Sequence, residues 1–174
     1  MNILNPLRVV IAFACAAFAI ASIAADAPTK SVAKPAAKPA SSKDIERGRY
    51  LVMITGCNDC HTLNFLVNGG KTPEKDRLTG AAMGWRGPWG TTYPANLRLY
   101  FQDMSEGEWV QVAKEIQRRP PMPYFSLNAM AETDVRAIYR YIRSLGPAGT
   151  PAPKFLPPDK EPPQPYVQFP ASMK

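Results

Sequence analysis

Cys57-Asn58-Asp59-Cys60-His61 puts two thiols and an imidazole within five consecutive residues. Thiols at that spacing can add across the two vinyl groups of a haem, and the histidine that follows is placed to ligate iron from the same turn. The chain of 174 residues holds a single histidine, and its third cysteine, Cys15, lies in a segment that reads as removable. Other chemistries fit the motif less well. A structural zinc site wants four thiolate or imidazole ligands, usually as two separated pairs, and no second pair is present. A thioredoxin-type dithiol expects a strand before it and a βαβ setting, whereas the segment before Cys57 reads as a helix. A plain Cys57–Cys60 disulfide leaves the adjacent histidine unexplained.

The compartment follows from the amino-terminal residues. Arg8 gives a short positive start, and Val9 to Ile20 is an apolar run too short to span a bilayer comfortably. Ser22-Ile23-Ala24 then offers small residues where a signal peptidase reads, so residues 1–25 are expected to be a signal peptide and the chain periplasmic. An uncleaved anchor is the alternative. Residues 26–43, with Lys30, Lys34, Lys38 and prolines among alanines and serines, read as a basic, extended linker. Much of the formal charge of +7 sits there, and nothing in the distribution argues for nucleic acid.

Residues 44–146 carry nearly all the aromatic and branched side chains and form the expected domain, of a size at which a covalently held cofactor would add to a modest core. Residues 147–174 are proline-rich but keep Phe155, Leu156, Tyr166, Val167 and Phe169. They read as an extended arm lying against the body or a partner, with a disordered tail as the alternative.

Three helices can be placed. The first runs from about Lys43 into Cys57, capped by Ser41 or Ser42, with Ile45, Gly48 and Val52 on one face. Gly48 costs helix stability there, and close approach of another backbone is the compensation expected. The second starts at the capping box Ser105/Glu108, carries Trp109, Val112, Ala113 and Ile116 on one stripe, and ends at Pro120. The third has Val135, Ile138, Tyr139, Ile142 and Leu145 at helical spacing and stops at Gly146-Pro147. Its row of Arg136, Arg140 and Arg143 reads as a solvated face, or else as a docking patch for an acidic partner. Between Thr62 and Leu99 glycines alternate with prolines, and so long a loop suits the wrapping of a flat cofactor.

With His61 used, the second axial position is open to methionine, lysine, tyrosine, the amino terminus, water or nothing. Met122, in Arg118-Arg119-Pro120-Pro121-Met122-Pro123, stands in an extended loop between two helices, where a core role is hard to assign. Met83 is the second choice, and Met53, Met104 and Met130 read as packing residues.

The core resembles a class I cytochrome c. Arg47-Gly48-Arg49-Tyr50-Leu51 leads into the haem motif as in that family, and Met122-Pro123 precedes a helix with Ile138-Tyr139-Arg140-Tyr141-Ile142. Within the class it is most similar to cytochromes c associated with bacterial dehydrogenases of alcohols and sugar acids, through Pro88-Trp89-Gly90-Thr91-Thr92-Tyr93-Pro94-Ala95-Asn96 and Met104-Ser105-Glu106-Gly107-Glu108-Trp109. Ala131 departs from the pattern, standing where the family usually has a capping serine.

The resemblance implies an all-α fold, three main helices around one haem c bound through Cys57 and Cys60. It also implies His61 and Met122 as axial ligands and helices one and three crossing near Gly48. Trp85, Arg86, Trp89, Tyr93, Asn96 and Arg98 are donors suited to the haem propionates, and Tyr124 and Phe125 would shield the Met122 sulfur. A periplasmic carrier of single electrons between a donor dehydrogenase and an acceptor oxidase or cytochrome is expected, not an enzyme by itself. A haem-based sensor or small catalyst with an open sixth site, and a permanent subunit of a dehydrogenase or oxidase complex, are the alternatives.

Overall fold

Helix α1, Ser42–Ile54, begins where Ser41 accepts the Asp44 amide and Asp44 returns the bond to the Ser41 backbone. That reciprocal cap satisfies two amides the helix itself leaves open. These details come from a computed structural model that describes residues 40–171. The expected signal peptide, residues 1–25, and most of the expected linker lie outside the described residues.

Helix α1 packs along α6, Glu132–Ser144, and α6 also packs on α4, Glu106–Glu115. The α1–α6 crossing is set by Gly48, which is buried. A Cβ at this position would stand 2.0 Å from the Ala137 carbonyl oxygen and 2.6 Å from the Tyr141 Cβ. Glycine is therefore required by backbone approach, the compensation its helix cost needs. Leu51, Val52, Leu78, Phe101, Trp109, Val135, Ile138, Tyr141 and Ile142 form the core between these helices. The Phe101 and Trp109 rings meet at 4.6 Å, and the Trp109 indole donates to the Val135 carbonyl at 2.9 Å.

Two expectations about the architecture are corrected. The chain is mixed α/β, not all-α: six helices accompany a three-stranded mixed sheet among the described residues. Strands β1, Gly84–Gly87, and β2, Gly90–Thr92, form an antiparallel hairpin across Pro88-Trp89, and β3, Tyr166–Gln168, adds to β1 in parallel. The long loop thus contains a hairpin whose third strand comes from the proline-rich arm. Strands this short show no readable alternation, and the pairing of β3 spans most of the domain. The arm also reaches the other edge, where Leu156 exchanges both backbone bonds with Thr91 at 2.8 and 3.0 Å. Both edges of the hairpin are therefore covered by the arm.

The helix count is also larger than three. Gly56, left-handed at φ +71°, breaks the first helix and starts a separate one-turn helix α2, Cys57–His61. Asn96 caps α3, Leu97–Tyr100, by accepting the Leu99 amide, and α5, Tyr124–Ala129, fills the approach to α6. Helix α4 stops at Glu115, before Pro120, because the Asn128 side chain takes the Ala113 and Ile116 carbonyls at 2.7 and 3.3 Å.

The arginine row on α6 is neither a free solvated face nor an open docking patch. Arg136 and Arg140 both reach Glu106 on α4, at 3.1 and 2.8 Å, Arg140 also pairs with Asp44 on α1 at 2.9 Å, and Arg143 donates to the Phe101 carbonyl. Glu106 joins these charges. Burial pulls its pKa up, but bonds from Arg140 and Arg136 together with their charge outweigh that and leave it lowered. A carboxylate lowered in the folded state contributes stability above its unfolded pKa, and that contribution is lost as pH falls through the folded value. Glu106→Gln is expected to cost roughly 1–2 kcal/mol at neutral pH, allowing for partial solvent screening. The deficit should close below the ordinary carboxylate range, as urea unfolding at pH 7 and pH 3 would show. A deficit equal at both pH values would refute the charge network as its source.

Candidate functional site

Helix α2 carries the motif, and a buried polar chain holds it. Thr62 donates to the Asn58 side chain at 2.8 Å and accepts the Leu78 amide at 2.8 Å, with Asn58 1% and Thr62 2% exposed. Leu78 is wholly buried in the left-handed region at φ 62°, and its carbonyl accepts the Leu97 and Arg98 amides at 2.9 and 3.3 Å. A non-glycine residue is held there only when its surroundings leave no alternative. Together these bonds lock α2 to α3.

The lock fixes the imidazole. His61 Nδ1 lies 2.7 Å from the Ala95 carbonyl oxygen, and because a carbonyl only accepts, Nδ1 carries the proton. Nε2 is left with a lone pair, as a metal-ligating histidine requires. Burial pushes the His61 pKa down against the Ala95 bond, which keeps that lone pair available at neutral pH.

Burial pushes the Cys57 thiol up, against the Thr55 hydroxyl 3.3 Å away, and pushes Cys60 up with help from Asp59 and Cys57. Neither sulfur is in a disulfide. A redox-active dithiol is marked by a lowered thiol pKa beside positive charge or a helix N-terminus, so raised thiols argue against a thioredoxin-type role. Among the described residues no three His, Cys, Asp or Glu side chains group to hold a metal ion, so the zinc reading lacks its ligands.

Cys57, Cys60 and His61 open on a cavity of about 330 Å³. Its floor is apolar, from Leu97, Phe101 and Trp109 to Ile138 and Ile142 of α6, and the 116–123 loop closes one side with Met122. That loop is tied at two points. Thr92 Oγ1 donates to the Pro120 carbonyl at 3.0 Å, and the Tyr124 amide donates to the Met122 carbonyl at 2.9 Å.

The structure divides the expected donors. Trp85 and Tyr93 line the cavity with the thiols, His61 and Met122. Arg86, Trp89, Asn96 and Arg98 do not. Arg86 is held by the arm, donating to the Lys160 carbonyl at 2.9 Å and pairing with Glu161 at 2.9 Å. Trp89 packs on Phe169 with ring centroids 5.3 Å apart. Asn96 donates to the Ala148 and Thr150 carbonyls at 2.8 and 3.1 Å. Arg98, 4% exposed, donates to the Leu145 and Gly146 carbonyls at the end of α6 and to the Lys75 carbonyl. A buried guanidinium given three carbonyls, two of them at a helix C-terminus, serves as a structural clamp.

The methionines divide similarly. Met122 lines the cavity and Met83 does not, but Met130, expected only to pack, also reaches it. Neither Tyr124 nor Phe125 lines it, and Phe125 is 66% exposed. The Ala95 carbonyl was missed, since a main-chain oxygen carries no side-chain signal.

The lining suits a largely apolar group with a few polar points. Two thiols, one imidazole and two thioethers, those of Met122 and Met130, line it. The Trp85 indole nitrogen, buried with no hydrogen-bond partner among the described residues, is an orphan donor in one of the lining residues. Haem c is a largely apolar group with this demand for ligands.

The chain is similar to a nicotinate dehydrogenase component from Pseudomonas putida, 29% identical over 150 residues that cover 78% of this chain and 12% of that protein. This chain therefore corresponds to a small part of that relative, and the likeness is to a dehydrogenase-associated protein. No family model and no solved structure matches it.

Proposed function

We propose that this chain is a periplasmic c-type cytochrome of class I that carries single electrons between redox proteins through one haem c. The observation that carries the reading is the convergence on one apolar cavity of both motif thiols, a histidine with its tautomer set, and Met122. Cys57 and Cys60 would hold the group covalently, and His61 Nε2 and the Met122 sulfur would ligate its iron. Bound there, haem supplies a one-electron iron couple, with methionine favouring the reduced form relative to a second imidazole.

The protein's share of the work is positional. The Ala95 carbonyl orients His61, the Thr92–Pro120 bond holds the loop that bears Met122, and the aromatic floor excludes water. With His61 and Met122 both ligating the iron, small ligands such as oxygen would have no open site, which fits a carrier better than a sensor or catalyst. The likeness to a dehydrogenase component supports a dehydrogenase as donor, either as a transient partner or in a permanent complex.

The test is the optical spectrum of haem-loaded ferric protein, wild type beside Met122→Ala and Met130→Ala. A weak long-wavelength band reports an iron–methionine bond. It is expected in wild type and Met130→Ala and absent in Met122→Ala. Loss in Met130→Ala alone would move the ligand to the end of α5. No band in wild type, together with carbon monoxide binding after reduction, would favour the open-site sensor or catalyst.

A further inference from the structure

The arm meets the cavity through one charged residue. Arg119 lines the cavity, and its guanidinium lies over the Phe155 ring, 4.0 Å from the centroid. Phe155 is placed by its neighbour, since Leu156 is bonded in both directions to Thr91. Gly90 makes room for this approach. It sits at φ +99°, and a Cβ there would stand 2.4 Å from the Leu156 carbonyl oxygen and 2.9 Å from the Phe155 ring.

Arg119 differs from most arginines around it. Arg47, Arg49, Arg86, Arg136 and Arg140 each pair with a carboxylate, which fixes the side chain but cancels its charge. An aromatic face holds a guanidinium without cancelling it. Arg119, itself exposed, is thus held at the cavity rim with its charge uncompensated among the described residues.

We propose that Phe155 is a positioning residue for the redox site: by holding Arg119 against the cavity, the C-terminal arm raises the potential of the group bound there. The inference rests on the haem reading above. A positive charge held beside an apolar cavity penalises the more positive, oxidised state of its occupant. An arginine released from the ring would stand on average farther from the cavity, and the added distance through screening solvent would weaken the effect.

The experiment uses haem-loaded, full-length protein: wild type, Phe155→Leu, Phe155→Tyr, Arg119→Gln and the double variant Phe155→Leu/Arg119→Gln. Midpoint potential and the rate of tryptic cleavage after Lys154 are measured for each. Phe155→Leu and Arg119→Gln are expected to lower the potential and speed cleavage, and Phe155→Tyr to match wild type in both. The double variant should lie no lower than Arg119→Gln alone, because the ring acts through the arginine. A Phe155→Leu protein with the wild-type potential, or a double variant in which the two shifts add, overturns the proposal. Wild-type protein purified without haem c would sink the haem reading and this inference together. A haem-loaded series whose potentials do not move would sink this inference alone.

Discussion

Gly48→Ala is expected to cost more than about 3 kcal/mol, enough to bring a domain of ordinary stability close to unfolding. The added methyl would stand 2.0 Å from the Ala137 carbonyl oxygen, 2.7 Å from the Ala137 carbonyl carbon and 2.6 Å from the Tyr141 Cβ. All three belong to backbone or to the root of a side chain, so none can swing away as a flexible tip could. Relief requires separating α1 from α6, and that movement opens the seam where Leu51 and Val52 face Ile138 and Ile142. Gly107→Ala supplies the control. Gly107 lies exposed in the first turn of α4 with nothing within 4 Å of a Cβ, so alanine there should gain up to about 1 kcal/mol from helix propensity. Thermal unfolding of the two variants should therefore move in opposite directions from wild type. A Gly48→Ala protein as stable as wild type would show that α1 and α6 do not meet as closely as described.

The second large effect falls on the motif. Cys57→Ala/Cys60→Ala is expected to abolish covalent haem, read as complete loss of haem-dependent peroxidase staining after denaturing electrophoresis. Single variants should retain at most one thioether bond and stain weakly. A dithiol oxidoreductase would show the reverse, with wild type reducing a disulfide substrate and carrying no haem. Undiminished staining in the double variant would remove the thiols from haem attachment altogether.

Much of the local structure was legible because its causes are local. Ser105 with Glu108 is a capping pair three residues apart that forms as read, and of the two serines offered for the first helix Ser41 is the cap, with Asp44 completing a second such pair. Gly48 in an amphipathic helix called for a backbone neighbour, and α6 supplies it. Met122 lines the same cavity as the motif residues, and so does Met130.

Long-range pairing was not legible. The three strands are each four residues or fewer, and β1 finds its parallel partner in a proline-rich tail that read as an extended arm against the body or a partner, with no strand partner to be named. Proline is tolerated there because β3 lies at the sheet edge. Arg86, Asn96 and Arg98 looked like cavity donors by residue type. Their partners, at Glu161, Ala148 and Gly146, lie far along the chain, and only packing could reveal them. The α6 arginines looked solvated for the same reason, since Glu106 and Asp44 come from other helices.

What the sequence by itself determined is the reactive set, since two thiols and an imidazole confined to one helical turn need no distant partner to be recognised. Tertiary structure alone decided how that set is presented. It chose the Ala95 carbonyl that orients His61, the sheet that the arm completes, and the aromatic ring that holds Arg119 at the cavity. The physical reason is the same in each case: a main-chain oxygen, an edge amide and a ring face carry no mark in the residue string until folding brings their partners within reach.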